Sequence, residues 1–240
     1  MTGPIGLVGS GEFLACSDVI DGALLDRVSG RAARAVIIPT AAGQEGPTSV
    51  GSWLDKGIAH FDRLGLEPVP LSIIDRVGAD DPANAEQIGD ASIIYFSGGN
   101  PAYVIETMRN TLVWAAVLAA WRDGAALAGC SAGAMMMGSV TASPRQAGLV
   151  TGLGVFADLC VIPHFDRFDS FRPGMTDSIL GSVAPGTTVI GVDEETGLVV
   201  HDGESFVMGR RAVWSLTSEG RTGWHHGDST TLRLSIADTD

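Results

Sequence analysis

Ala128-Gly129-Cys130-Ser131-Ala132-Gly133-Ala134 is the stretch on which the reading of this chain turns. Gly124-Ala125-Ala126-Leu127, just before it, has the character of a short buried strand, and Met135-Met136-Met137, just after, reads as the start of a buried helix. A serine with glycine two residues before and two after, between a strand and a helix, is the pattern of a nucleophile elbow. The glycines belong to a tight turn in which side chains would clash with the neighbouring elements. Such a turn lifts the Ser131 hydroxyl out of the sheet and aims the first N–H groups of the helix at whatever the serine attacks. An ordinary glycine-rich strand-to-helix turn has the same letters, so the motif alone does not decide the chemistry.

Outward from this turn, short apolar runs alternate with amphipathic stretches. Residues 4–8, 35–38, 68–71, 92–96 and 125–128 are strand-like, and helical patterns lie near 18–29, 48–64, 101–109 and 111–123. That alternation predicts an α/β fold of three layers, a mostly parallel sheet covered by helices on both faces. The second half is strand-rich, with runs at 159–163, 188–192, 197–201, 205–208 and 212–216. Asp202-Gly203 between two of them is a strong hairpin signal, so an antiparallel edge is expected to follow the parallel core. The whole of 1–240 reads as a single domain, with 217–240 a loose polar tail.

The formal net charge of −13 argues against nucleic acid or an anionic membrane surface as partner, since both require clustered Lys and Arg. No apolar run is long enough to span a bilayer and no signal peptide is evident. The sparse cysteines Cys16, Cys130 and Cys160 form no disulfide framework. They suit a reducing compartment, so a cytoplasmic location is expected. Cys130 reads as a small core residue.

A serine nucleophile needs a base, and the base an orienting acid. Of the histidines, His60 lies in a helical pattern and reads as a surface or boundary residue. His201 adjoins the hairpin turn. His225 and His226 lie in the polar tail without partner ligands at metal-binding spacing, so no metal is expected. His164 ends the apolar run Leu159-Cys160-Val161-Ile162-Pro163. Strand C-termini of an open parallel sheet face one crevice, which would put His164 on the edge that carries Ser131. Asp193-Glu194-Glu195 follows another strand and offers three candidate acids. Ser97-Gly98-Gly99-Asn100-Pro101 after the strand at 92–96 could supply oxyanion N–H donors or a phosphate turn. Its spacing matches no nucleotide-binding fingerprint, and neither does Val8-Gly9-Ser10-Gly11-Glu12, a glycine turn expected to border the same crevice. No cofactor is expected.

Phe96-Ser-Gly-Gly-Asn100, Gly129-Cys-Ser-Ala-Gly-Ala134, Ile162-Pro-His-Phe165 and Gly191-Val-Asp-Glu194, in this order, resemble peptidase family S51, which includes aspartyl dipeptidase and cyanophycinase. The resemblance implies a class I glutamine amidotransferase-like fold and a Ser-His-Glu triad. By motif position the nucleophile is Ser131, the base His164 and the acid Glu194, with oxyanion N–H groups from Gly99 and Ala132. An α/β-hydrolase would instead run Ser, Asp, His. Pro101 stands where cyanophycinases have Gln, and Pro163 precedes His164 as in the dipeptidase branch. The implied substrate is a short peptide, with Asp at the cleaved carbonyl if a cation awaits it. Arg167 is the first candidate, Arg172 the second, with Asn100 beside them in the substrate-binding set. A non-peptide amidase or esterase, and a binding protein that has lost catalysis, remain alternatives. The oligomeric state is left open between monomer and homodimer.

Overall fold

The computed structural model describes residues 2–142 and 148–237. Its first half follows the strand–helix alternation: β1 (Ile5–Val8), α1 (Asp18–Leu25), β2 (Arg34–Ile38), α2 (Pro47–Arg63), β3 (Glu67–Pro70), the short α3 (Arg76–Ala79) and α4 (Pro82–Glu86), β4 (Ile93–Phe96), α5 (Pro101–Met108), α6 (Leu112–Arg122) and β5 (Ala126–Cys130). Helix starts are written in the sequence. Pro101 occupies the first turn of α5 while the Asn100 side chain accepts the Tyr103 N–H, and the Thr111 side chain accepts the Trp114 N–H at the head of α6. The elbow helix α7 (Ala132–Met135) is a single turn, and β6 (Val140–Ala142) and β7 (Leu149–Thr151) form a small hairpin ladder. It begins at Ala132, three residues ahead of the methionine run expected to open it.

The second half contains β8 (Leu159–Pro163), α8 (Phe165–Phe171), α9 (Met175–Ser182), β9 (Thr188–Val192), β10 (Thr196–His201), β11 (Glu204–Gly209), β12 (Ala212–Thr217) and β13 (Gly220–His225). The main sheet has seven strands in the order β11-β10-β1-β5-β4-β2-β3. The block from β1 to β3 is parallel, and β10 and β11 extend it antiparallel. This is the expected mixed α/β architecture with its antiparallel edge. Asp202 and Gly203 turn the β10–β11 hairpin, both at positive φ (50° and 79°) as a type I′ turn requires.

Side chains alternate along each central strand, so both faces are buried. Ala35 and Ile37 of β2 face a cluster with Ile20, Leu24 and Phe61, beneath α1 and α2. Val36 and Ile38 face another that includes Val113, Val117 and Trp121 of α6.

Two findings depart from the sequence reading. The late strands do not all join the main sheet: β8, β9, β12 and β13 form a separate four-stranded sheet, order β13-β12-β9-β8, with β8 and β9 parallel. Its own core holds Cys160, Ile162, Phe165, Ile179, Val189 and Leu216 under α8 and α9. The stretch 217–240, read as loose, carries β13 paired to β12, and Ala237 N–H donates to Val155 O at 3.0 Å. Residues 238–240 lie outside the described residues.

Candidate active site

Strands β1, β4 and β5 run parallel and side by side, so the turns after them meet at one edge. Ser131 is the pivot of the last turn, with φ 50° and ψ −110°. A non-glycine residue held there costs about 1–3 kcal/mol and persists only where its surroundings impose it. They do: Ser131 N–H donates to Val8 O, while Ala134 and Met135 N–H groups donate to Ser131 O. The flanking glycines are steric requirements. A Cβ on Gly129 would lie 2.3 Å from Gly133 backbone, and one on Gly133 would lie 2.4 Å from Phe96 O. Residues 128–134 therefore fold into a tight strand-to-helix turn because α7 sits directly on β4 and β5.

His164 terminates β8 and precedes α8, in left-handed backbone (φ 51°, ψ 34°). It reaches Ser131 from the second sheet, not from the edge of the first as expected. Its Nε2 lies 3.2 Å from Ser131 Oγ and its Nδ1 lies 3.1 Å from Glu194 Oε1. Glu194 follows β9, the parallel neighbour of β8, so the strand-end rule brings the two together within the smaller sheet.

The three acids after β9 separate cleanly. Asp193 turns inward, its carboxylate accepting from Ala212 N–H and Trp214 Nε1–H, and burial pushes its acid up. Glu195 pairs with Arg210 at 2.9 Å. Glu194 alone meets His164. Its backbone N–H donates to Asp166 Oδ1, and Asp166 in turn accepts from Arg211 at 2.6 Å. Sequence reading passed over Asp166 and Arg211. The available signal was an acid two residues past His164, inside the first turn of a helix.

The substrate-binding candidates diverge. Arg167 Nε lies 3.1 Å from Glu194 Oε2, an ion pair with the acid of the histidine pair. Asn100 caps α5 and donates to Gln44 Oε1 at 2.9 Å. Arg172 lines a cavity of about 320 Å³ together with Gly99, Ser131 and His164. It makes no ion pair among the described residues. The other walls are mainly apolar and include Met135, Pro163, Phe168 and Met175.

Two backbone N–H groups lie near this cavity, that of Gly99 in its lining and that of Ala132 next to Ser131. Ala132 begins α7, where an N–H has no intrahelical acceptor. Gly99 has φ 143°, and a Cβ there would lie 2.3 Å from Ala41 O, so only glycine fits. Its N–H has no acceptor among the described residues. Elsewhere, His60 is fully buried, its Nε2 2.7 Å from Asp21 Oδ2, and is not the surface or boundary residue expected. Cys130 is buried as expected, and burial with the nearby Glu12 charge holds its thiol well up. Among the described residues no cluster of His, Cys, Asp and Glu is placed to hold a metal ion, and no helix is long and apolar enough to cross a membrane.

A mixed α/β fold with an elbow serine hydrogen-bonded to a histidine from a neighbouring sheet defines a hydrolase-like architecture, and known proteins agree. A crystal structure of a peptidase from an acI-B1 Actinobacterium matches with a TM-score of 0.90 at 34% identity, over 97% of this chain and 98% of that one. A putative peptidase E protein from Listeria monocytogenes EGD-e matches with a TM-score of 0.63 at 18% identity, over 88% of this chain and 100% of that one; this likeness is one of fold. No curated protein matches the chain. The model of peptidase family S51 matches residues 6–208, and the chain belongs to that family.

Proposed function

We propose that this peptidase is a serine peptidase acting on short peptides through Ser131, His164 and Glu194. The observation that carries the reading is the unbroken chain Ser131 Oγ, His164 Nε2, His164 Nδ1 and Glu194 Oε1, with links of 3.2 and 3.1 Å. His164 Nε2 takes the Ser131 proton as Oγ bonds to the peptide carbonyl carbon. The carbonyl oxygen gains the negative charge and faces the N–H groups of Gly99 and Ala132. The imidazolium, stabilised by Glu194, then gives its proton to the leaving amine as the C–N bond breaks. Water repeats the sequence on the acyl-enzyme and releases the acid.

Arg172 supports a substrate carboxylate in the cavity, the side chain of Asp at the cleaved carbonyl among the choices. Phe168, Met175 and Pro163 favour an apolar portion of substrate beside it. A dipeptide panel with Asp, Leu or Phe in first position separates these preferences, and Arg172→Ala should raise KM for the carboxylate-bearing members only.

The experiment that tests the reading is intact-mass analysis after a fluorophosphonate probe, alongside peptide turnover. One adduct is expected on the wild type and none on Ser131→Ala, whose turnover should fall by at least about 10⁴-fold. Turnover close to wild type in Ser131→Ala would overturn the mechanism.

A further inference from the structure

Glu12 is a charged side chain that the mechanism does not use, yet it is buried, with 6% of its surface exposed. It ends the turn after β1, beside the reacting groups. Its Oε1 accepts the Gly98 N–H at 3.0 Å and its Oε2 accepts the Cys130 thiol at 2.9 Å. One carboxyl group thus ties together the first turn, the glycine loop after β4 and the residue immediately before Ser131. The packing at that point is close. A Cβ on Gly98 would lie 3.1 Å from Glu12 Oε1 and 3.4 Å from Ser131 Cβ.

The backbone of the glycine loop makes the consequence specific. Ser97 N–H donates to Ile38 O at 3.2 Å, Gly98 N–H to Glu12, and Asn100 N–H to Ala41 O at 2.7 Å. Of these successive amides, only the Gly99 N–H has no acceptor among the described residues. The Gly98–Gly99 peptide is therefore fixed on both sides, with its own donor left for a ligand. The outer anchors are backbone carbonyls of β2 and the turn that follows it. The anchor next to Gly99 is a side chain, and a glycine pair has no Cβ contacts of its own to hold its orientation.

We propose that Glu12 is a positioning residue that presets the oxyanion-binding Gly99 N–H by anchoring Gly98. This rests on the serine-peptidase reading above. An oxyanion donor acts through preorganisation: it stabilises charge that develops in the transition state and little that exists in the bound substrate. Loosening the Gly98 anchor therefore lowers kcat and leaves KM nearly unchanged. The Cys130 contact fixes the other oxygen of Glu12 and is secondary.

Three variants test this, read by kcat, KM, thermal midpoint and the affinity of a dipeptide boronate, whose tetrahedral adduct on Ser131 places an oxygen in the hole. Glu12→Gln keeps the reach and an acceptor oxygen for Gly98, and should stay within about threefold of wild type. Glu12→Asp keeps the charge but withdraws it from Gly98. Glu12→Ala removes the anchor altogether. Glu12→Ala is expected to lower kcat by about 10- to 100-fold, less than the 10²–10³-fold for outright loss of an oxyanion donor. Glu12→Asp should fall in between, and boronate affinity should drop in step with kcat/KM in both. A merely structural Glu12 would move the thermal midpoint without that parallel loss, and this result overturns the proposal. So does Glu12→Gln falling as far as Glu12→Asp, which would show that an acceptor within reach of the Gly98 N–H does not preset the loop. Should Glu12→Ala fail to fold, the Gln and Asp pair still decides. Loss of boronate binding in Ser131→Ala secures the underlying reading. A boronate that binds Ser131→Ala unchanged overturns that reading and the proposal with it, whereas failure in the Glu12 variants alone removes only the proposal.

Discussion

Two histidine–carboxylate pairs of this chain, one sealed and one open, have opposite outcomes. On one side of the main sheet, His60 of α2 meets Asp21 of α1 at 2.7 Å, and both side chains are fully buried. Across the molecule, His164 meets Glu194 at 3.1 Å, with 37% and 25% of these side chains exposed. The difference lies in the second ring nitrogen. His60 Nδ1 lies 2.9 Å from Arg63 Nη2 and 3.5 Å from Asp18 Oδ1, while Nε2 faces Asp21. Both ring nitrogens are thus engaged within the fold, and neither faces a cavity. In His164 the orientation is reversed: Nδ1 faces the carboxylate, which leaves Nε2 for the Ser131 hydroxyl and the cavity. A histidine–carboxylate pair is thus a clamp or a base according to what occupies its far nitrogen. Residue type alone does not say which.

The comparison can be broken by experiment, starting from the open pair. Glu194→Gln should fold normally and lose about 10²- to 10⁴-fold in kcat, since an amide no longer fixes the working tautomer of His164. Steady-state kinetics at saturating peptide would detect it, and a loss under fivefold would show that Glu194 does not orient the base.

The sealed pair should respond in stability instead. His60→Ala leaves Asp21 buried without its partner, and the Asp21 acid is already pushed up by burial. A loss of about 3–5 kcal/mol in a urea titration is expected, with kcat per folded molecule unchanged. Replacing both residues by Leu should recover most of the loss, because no uncompensated buried polar group remains. A kinetic phenotype in His60→Ala would erase the distinction between the pairs.

A smaller effect is expected at Arg167, whose pair with Glu194 is more than half exposed on the arginine side. Exposed ion pairs contribute about 1 kcal/mol or less. Arg167→Ala should therefore lower kcat by about fivefold at most, without a KM effect tied to acidic substrates. A selective rise in KM for Asp-containing peptides would show that Arg167 also meets the substrate.

The smallest effect is in pH. The Arg63 guanidinium holds Asp18 below the usual carboxylate range, so the folded state keeps it ionised longer than the unfolded chain does. That stabilisation is present above about pH 4 and is lost as pH falls through the folded value. Thermal midpoints of wild type and Asp18→Asn should differ slightly at neutral pH and converge in acid. Asp21 works in the opposite sense, its raised value favouring the fold at low pH. A gap that widened in acid would contradict this assignment.

The elements that determine their own conformation were legible. Apolar runs bounded by glycine, Asn100 before Pro101, and Asp202-Gly203 each carry a local rule that the structure obeys. The glycines around Ser131 were legible for the same reason, since contacts within the turn require them. Partition of the late strands was not legible, because β8 and β9 are as apolar as β10 and nothing local says which sheet each will join. The choice among Asp193, Glu194 and Glu195 depended on that partition. Once β12 lies beside β9, Trp214 and Ala212 capture Asp193, and the next residue projects toward His164. Arg167 was visible as a cation near His164, but its direction is set by α8, which brings it onto Glu194. Glu12 was visible as the one charge in a glycine turn, and its partners Gly98 and Cys130 lie 86 and 118 residues away in sequence.

The junction of two sheets also sets an order of assembly. The elbow and its glycine loop belong to β1, β4 and β5, whereas the histidine and its acid come from a sheet in which β12 lies beside β9. A nascent chain therefore makes Ser131 before His164 and Glu194. On the serine reading, such a chain stays chemically silent until Trp214 has been synthesised and the second sheet has docked. Delayed arming of this kind follows from the sequence order of the parts alone.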